Sequence, residues 1–275
     1  MLLALWAEGT RRRAVGTNPL VIQGNFPPLG GQPVHRFRLT RMEAIDVTQI
    51  PPSARLSMED RFVEQLRTFE RNRSDNPNNP QFNPAWTDPD GEKAAVFDRM
   101  KTRFLPREGL ARQNLMLVLH GCDHDAAENL CINGFEQLNF RDQGWFGQGV
   151  YATTYAEYAA LYATGQLKDQ PNAPSPNGEY VVLACWANPG MCYPISRAED
   201  YAQPHDQSTS SRYCDNTQGR PLRGQFQSHY AMVESVHYQC ADGVRNGRAP
   251  DYDELVVRHP AQMLPAFRLY FRAEA

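Results

Sequence analysis

The chain of 275 residues is long enough to bury a core as one large domain or two small ones, without disulfides or metal ions. Apolar residues at 41% and charged residues at 21% exclude a chain that is disordered by composition. The net charge of −3 gives no overall attraction to nucleic acid or an anionic membrane, and no apolar run reaches the roughly 20 residues that cross a bilayer.

The first residues and the cysteines indicate in which cellular compartment the protein is expected. An apolar start at 1–7 precedes the arginines at 11–13, the reverse of a secretory signal, so we expect a cytoplasmic protein, with delivery as an effector left open. The six cysteines form no C-x-x-C pair and no cluster with histidine at zinc spacing. We therefore expect no metal site and reduced, mostly buried thiols, with a secreted disulfide framework as the alternative.

The N-terminal third has few local signals. Residues 1–33 carry glycine and proline without periodicity and are predicted to be an irregular lead-in. Alternation of apolar and polar residues from Val34 predicts a strand. Ser57 and Asp60 have the spacing of a capping box, which predicts that an amphipathic helix covers 58–72.

The middle of the chain gives clearer signals. Asp88 and Pro89 predict the cap and first position of a second helix. The apolar run at 115–119 predicts a buried strand. Asp123 is predicted to cap a short helix, and Gly134 is predicted to end it in a left-handed conformation.

The last part of the chain alternates between apolar strands and polar loops. A glycine-rich turn leads to Tyr151, and Thr153 or Thr154 is predicted to cap a helix with Tyr158 and Tyr162 on one side. The remaining predictions are strands at 180–186, 254–257 and around 269–271, with loops at 166–178 and 196–229. Strands with scattered short helices and no regular βαβ alternation indicate an α+β fold.

Three features are of chemical interest: the His120-Gly121 step that ends a strand, the glycine-rich turn before Tyr151, and Glu254 at the start of an apolar strand. Singly, each has an ordinary interpretation, as a loop histidine, turn glycines or a solvent-facing acid.

Together and in order, however, these motifs resemble the catalytic domain of the poly(ADP-ribose) polymerases, the diphtheria-toxin-like ADP-ribosyltransferases. The similar stretches are LVLHGC at 117–122, NGF at 133–135, FGQGVY at 146–151, YAALY at 158–162, ESV at 234–236, YDELVV at 252–257 and PAQ at 260–262. The resemblance spans 115–271. It implies one catalytic domain over 34–275, with two packed, mainly antiparallel sheets and short helices around an NAD cleft.

The resemblance also implies roles for five residues in a reaction that uses NAD as co-substrate. The backbone of Gly121 would pair with the nicotinamide carboxamide, because a residue without a side chain allows close approach. His120 would donate a hydrogen bond to the adenosine ribose, and Tyr151 and Tyr162 would sandwich the nicotinamide ring. Glu254 would accept from the 2′-hydroxyl of the other ribose and stabilise its developing positive charge.

The sequence departs from the family pattern in the same region. Cys122 stands in place of Ser or Thr, and Ala159 in place of the Ser that bonds the carboxamide oxygen. Tyr158 stands where chain-elongating members carry Lys, which favours transfer of single ADP-ribose units, although Glu254 keeps polymer formation open. We expect a monomer that modifies a protein acceptor. The alternatives are a catalytically silent binding protein and an NAD glycohydrolase.

Overall fold

Nine strands in the described part of the chain form two mainly antiparallel sheets. The computed structural model describes residues 21–22, 36–45, 52–75, 91–104, 115–135, 144–167, 171–200, 221–224, 226–234 and 250–274. The strands are β1 (Val21–Ile22), β2 (Arg36–Ala44), β3 (Met116–Gly121), β4 (Val150–Ala152), β5 (Tyr180–Ala187), β6 (Cys192–Pro194), β7 (Ser228–Val233), β8 (Tyr252–Val257) and β9 (Met263–Glu274). One sheet has the order β1-β2-β9-β5-β3, and the other the order β4-β8-β7-β6, in which only β6 and β7 are parallel.

The two sheets meet where β3 passes the end of β4. Leu119 N–H donates to the Thr153 carbonyl at 2.7 Å, and Thr153 N–H donates back to the Leu119 carbonyl at 2.9 Å. This pair of bonds places the C-terminal end of β3 beside the connection that follows β4.

Five helices in the described residues flank the sheets. They are α1 (Pro52–Asp75), α2 (Glu92–Lys101), α3 (His124–Asn133), α4 (Ala156–Thr164) and α5 (Arg197–Asp200), with a 3₁₀ turn at Pro260–Gln262. One apolar cluster joins α2 and α3 to both sheets, and a second surrounds α4. The predicted α+β class with two packed, mainly antiparallel sheets is confirmed, although the 24 residues of α1 make it longer than the short helices expected.

Several local predictions are confirmed. The buried strand predicted at 115–119 is β3, and the apolar strand predicted at 180–186 is β5. Asp123 caps α3, since its Oδ1 accepts from Ala126 N–H at 2.8 Å. Gly134 ends the helix with a positive φ of 71°, but its ψ of −170° differs from the left-handed conformation that was predicted. The described cysteines are buried and form no disulfide with one another; they are Cys122, Cys131, Cys185 and Cys192.

Three predicted helix starts are wrong. Ser57 lies inside α1, which begins at Pro52, where the fixed φ of proline suits the first turn. The cap of α2 is Gly91 with a φ of 69°, so Asp88 does not cap it. The cap of α4 is Tyr155, because the side chains of Thr153 and Thr154 bind elsewhere.

Two predicted irregular segments contain strands. Residues 196–229 were predicted as surface loops, yet this stretch includes α5 and the start of β7, and Asp200 and His229 there are fully buried. Val21–Ile22, within the predicted lead-in, pair with β2, whereas the rest of 1–33 and Val34 lie outside the described residues. Among the described helices, none is long and apolar enough to cross a membrane.

Candidate active site

The carboxylate of Glu254 is the centre of a buried polar group on β8. Its side chain is 4% exposed, and its Oε1 accepts from the Tyr158 hydroxyl at 2.5 Å and from the Tyr162 hydroxyl at 3.0 Å. Strand alternation puts Glu254 on the same face of β8 as Tyr252 and Val256, which belong to the apolar cluster around α4. The acid therefore points toward α4, not toward solvent.

Tyr158 is held between two other tyrosines. Its ring stacks on Tyr252 with centroids 4.9 Å apart and an interplanar angle of 4°, and it meets Tyr162 edge-on at 5.3 Å. Burial, with the nearby carboxylate of Glu254 as a second cause, raises the pKa of Tyr158 well above its usual value. The phenol thus stays protonated and remains a donor to the carboxylate.

Gly121 lies directly against the backbone of α4. A Cβ at this position would be 1.9 Å from the carbonyl oxygen of Ala159 and 2.9 Å from the amide nitrogen of Ala163. The resemblance implies that this glycine allows the close approach of a ligand. The structure gives a different reason, because the helix itself occupies the space that a side chain would need.

The backbone polar groups of Gly121 point along the outer edge of β3. The N–H and C=O of Leu119 bond Thr153, on the side of β3 away from β5. Because β3 pairs with β5 in unbroken antiparallel register, Gly121, two residues later, directs its own N–H and C=O to that same side. One donor and one acceptor therefore lie side by side at this edge of β3.

His120 is tied to β4 through its imidazole. Its Nδ1 lies 2.8 Å from the carbonyl oxygen of Tyr151, and its ring meets Phe135 edge-on at 5.2 Å. A carbonyl oxygen only accepts, so this contact assigns the proton to Nδ1 and makes Nε2 of the neutral ring an acceptor. The donor role predicted for His120 would require the doubly protonated ring.

Tyr151 anchors the glycine-rich turn that precedes it. Its hydroxyl accepts from Phe146 N–H at 2.9 Å and donates to the Gly147 carbonyl at 2.6 Å. Gly147 has a φ of 110°, and a Cβ on Gly144 would meet the Tyr151 hydroxyl at 2.1 Å. The turn is therefore folded back onto the tyrosine that it delivers.

A second histidine, which the sequence analysis did not identify, also holds this turn. His229 on β7 donates from Nδ1 to the Phe146 carbonyl at 2.7 Å, and its Nε2 accepts from Arg223 N–H at 3.0 Å. Burial lowers the pKa of His229 to about 4, so the ring is neutral near pH 7. No local spacing signals this contact, since the partners are 83 residues apart.

Register brings the predicted residues of β4 and β8 together. Tyr151 lies opposite Val256, so Glu254, two residues away on the same face, is its diagonal neighbour at about 7–8 Å. Tyr162 bonds Glu254, and His120 bonds the backbone of Tyr151. Gly121 packs against the helix that carries Tyr162.

Of the three positions that depart from the pattern, Cys122 and Ala159 carry no polar group to this centre, whereas Tyr158 donates to Glu254. The Cys122 side chain is buried in the apolar cluster that also holds Cys131 and Cys185, whereas Tyr158 belongs to the other cluster. Ala159 is 1% exposed and contributes only its methyl group and the carbonyl that faces Gly121.

Asp253, the neighbour of Glu254, organises the opposite face of β8. It is fully buried, and its Oδ1 accepts from Thr154 N–H at 2.7 Å and from the Thr153 hydroxyl at 3.1 Å. Its Oδ2 accepts from the Thr154 hydroxyl at 2.5 Å and from the Tyr230 hydroxyl at 2.8 Å. Asp253 thus fixes the connection from β4 to α4. A charged residue inside an apolar strand was the signal that could have identified it.

Among the described residues, no group of three His, Cys, Asp or Glu side chains is arranged to hold a metal ion.

Comparison with known proteins gives a structural likeness only. No protein-family model matches the chain, and no curated protein matches it. Among solved structures, it is similar to the PARP domain of Arabidopsis RADICAL-INDUCED CELL DEATH1, with a TM-score of 0.44 and 10% identity over 86% of this chain and 91% of that chain. A likeness of this size carries no information about chemistry, which has to come from the contacts within this chain.

Proposed function

We propose that this protein is an NAD-dependent ADP-ribosyltransferase that transfers single ADP-ribose units to a protein acceptor and releases nicotinamide. The observation that carries the proposal is the buried carboxylate of Glu254, held by the hydroxyls of Tyr158 and Tyr162. The order of the sequence motifs, which resembles that of the poly(ADP-ribose) polymerases, supports the same function.

The backbone edge at Gly121 fits the nicotinamide carboxamide. A primary amide offers N–H donors and one carbonyl acceptor, and Gly121 directs one acceptor and one donor to the outer edge of β3. Tyr151 and Tyr162 would lie on the two faces of the ring. Their hydroxyls are already fixed by Gly147 and Glu254, so the positions of both rings are set before the substrate binds.

Glu254 would act on the ribose that carries nicotinamide. Its carboxylate accepts from the 2′-hydroxyl and stabilises the positive charge that develops as the bond from ribose C1′ to nicotinamide breaks. Nicotinamide leaves with the bonding electron pair, and a nucleophile of the acceptor forms the new bond to C1′. A carboxylate in this role contributes about 10²- to 10⁴-fold in rate.

Two further residues shape the binding of NAD. Neutral His120 would accept a hydrogen bond from the adenosine ribose through Nε2, because Nδ1 donates to Tyr151. Ala159 cannot supply the hydroxyl that the family pattern has at this position. The loss of one such bond costs about 1 kcal/mol, which weakens NAD binding several-fold.

Tyr158 favours transfer of single units. Chain-elongating members of the family carry Lys at the corresponding position, whereas here the phenol is 1% exposed and bonded to the catalytic carboxylate. A buried, neutral side chain gives no ammonium group for a second ADP-ribose unit.

The test is Glu254→Gln, assayed with labelled NAD for nicotinamide release and protein labelling. We expect NAD affinity to stay within a few-fold of wild type and transfer to fall at least about 100-fold. Glu64→Gln is the matched control, because the Glu64 side chain is 60% exposed on α1. Wild-type turnover by Glu254→Gln would disprove the proposed role.

Ala159 and the buried Cys122 favour a second candidate, a protein that binds NAD without turnover. The same assay separates the candidates. Labelled protein with released nicotinamide supports the transferase, and free ADP-ribose without labelled protein indicates an NAD glycohydrolase. A rise in melting temperature with NAD and no product indicates the silent binding protein.

A further inference from the structure

Two arginines at the end of α2 converge on a single phenol oxygen. Nη2 of Arg99 donates to the Tyr155 hydroxyl and, at 3.2 Å, to the Pro250 carbonyl. Nη2 of Arg103 donates to the same Tyr155 hydroxyl at 2.6 Å. The guanidinium carbons lie 5.7 and 5.0 Å from the centroid of the Tyr155 ring, so both charges are close to one side chain.

The negative charge near this pair is smaller than its positive charge. Arg103 pairs with the carboxylate of Asp253, 3.5 Å from its Nε, and this carboxylate already accepts four hydrogen bonds. Among the described residues no carboxylate pairs with Arg99, and the buried Nε atoms of both arginines have no hydrogen-bond partner there. Two cations therefore share one acid, and an added anion would reduce their mutual repulsion.

The surrounding backbone also favours an anion. Tyr155 caps α4, a helix of nine residues, and the N-terminal end of a helix carries partial positive charge. Glu157, in the first turn of α4, forms no ion pair with either arginine among the described residues. The Arg103 side chain is 30% exposed, so the pair is accessible from solvent.

A row of tyrosines connects this pair with the catalytic carboxylate. Tyr155 meets Tyr252 edge-on at 5.6 Å, Tyr252 stacks on Tyr158, and Tyr158 donates to Glu254. Three packed rings therefore lie between the arginine pair and Glu254. His120, which would hold the adenosine half of NAD, bonds the carbonyl of Tyr151 and is not part of this row of tyrosines.

We propose that Arg99 and Arg103 bind a carboxylate of an acidic segment in the acceptor protein at the N-terminal end of α4, the helix whose tyrosines hold Glu254. The assignment to an acceptor rests on the proposed transferase function, whereas the binding of an acidic peptide is testable without turnover. Guanidinium groups bind carboxylates through paired, charge-assisted hydrogen bonds, which gives this pair its chemical selectivity.

The direct test measures binding of a fluorescent hexaglutamate peptide to the full chain by anisotropy at low salt, with hexaglutamine as the neutral comparison. Arg99→Gln is the main variant, because removing Arg99 leaves no described carboxylate without its partner. We expect hexaglutamate to bind at least about tenfold more weakly to this variant. The matched control is Arg67→Gln on α1, whose side chain is 69% exposed and which changes the net charge equally.

Two results would overturn the proposal. One is equal hexaglutamate affinity in wild type and Arg99→Gln, with unchanged melting temperatures. The other is binding of inorganic pyrophosphate at this pair without binding of hexaglutamate, which would assign the site to phosphate. If Arg99→Gln does not fold, Arg99→Lys replaces it, and retention of full affinity there would equally contradict a paired guanidinium site.

The transferase function is tested by a measurement separate from peptide binding. Arg99→Gln should raise the KM for an acidic acceptor about tenfold, with a much smaller change in kcat, whereas a role in holding the fold alone would lower kcat as well. If the wild-type protein releases no nicotinamide, the proposed function fails, and the peptide result alone still decides whether the site exists.

Discussion

Replacement of Asp253 by Asn tests how the connection between β4 and α4 is held. The carboxylate is fully buried and accepts four hydrogen bonds, two of them from Thr154. The amide of asparagine keeps one acceptor oxygen, but its NH₂ group faces hydroxyls that donate to the carboxylate in the wild type. The substitution also leaves Arg103 without its counter-charge. Donors left unpaired against a buried group cost about 1–3 kcal/mol each, so we expect Asp253→Asn to lower the free energy of unfolding by about 3 kcal/mol.

Urea denaturation at pH 7.5, followed by circular dichroism, measures this loss. Asp98→Asn is the control, because Asp98 is 69% exposed and its 2.6 Å ion pair with Lys101 lies on the surface of α2, where such pairs contribute about 0.5 kcal/mol or less. We take roughly 1 kcal/mol as the smallest difference that counts. A free energy of unfolding for Asp253→Asn that differs from wild type by less than this would refute the reasoning.

Three other substitutions test separate parts of the site. Gly121→Ala places a Cβ 1.9 Å from the Ala159 carbonyl, a backbone atom that cannot move alone, so we expect a loss of about 3 kcal/mol in urea denaturation; unchanged stability would contradict this packing. The folded pKa of His229, about 4, lies below its ordinary 6.5, so the unfolded chain binds more protons and stability falls as the pH drops from 6.5 toward 4, by about 3 kcal/mol at most. In His229→Asn the free energy of unfolding should fall less steeply as the pH drops, which urea denaturation at pH 7.5, 5.5 and 4.5 will measure. Equal pH dependence in the variant and wild type would exclude a neutral, buried His229 as the cause. Tyr158→Phe removes one donor to Glu254, so we expect nicotinamide release about tenfold slower with NAD affinity unchanged; weaker affinity at an unchanged rate would argue against positioning of the carboxylate.

The parts of the fold that the sequence predicts are those with local signals. The apolar run of β3 and the Asp123 cap of α3 are set by neighbouring residues, and both are observed as predicted. The acid at Glu254 was found because it interrupts an apolar pattern. Its hydrogen-bond partner Tyr162 was predicted from the helical period to lie on one side of a helix. In the structure, that side of the helix faces Glu254.

The parts that the sequence does not predict depend on distant partners. Thr153 and Thr154 have the side chains of helix caps, but Asp253, 100 and 99 residues away, takes both hydroxyls. The glycine at 121 is required by a helix that follows it by more than thirty residues. His229 has no local pattern at all, because its contacts are made with the turn and with the segment at 221–224.

The position of β9 has a consequence for how the protein is made. This strand of twelve residues lies between β2 and β5 and follows every other described strand along the chain. During synthesis, the edges of β2 and β5 that will bond β9 therefore wait unpaired until the ribosome has released residues 263–274. The five-stranded sheet closes only after translation of this segment, and a nascent chain that stops before it would expose two edges prone to aggregation.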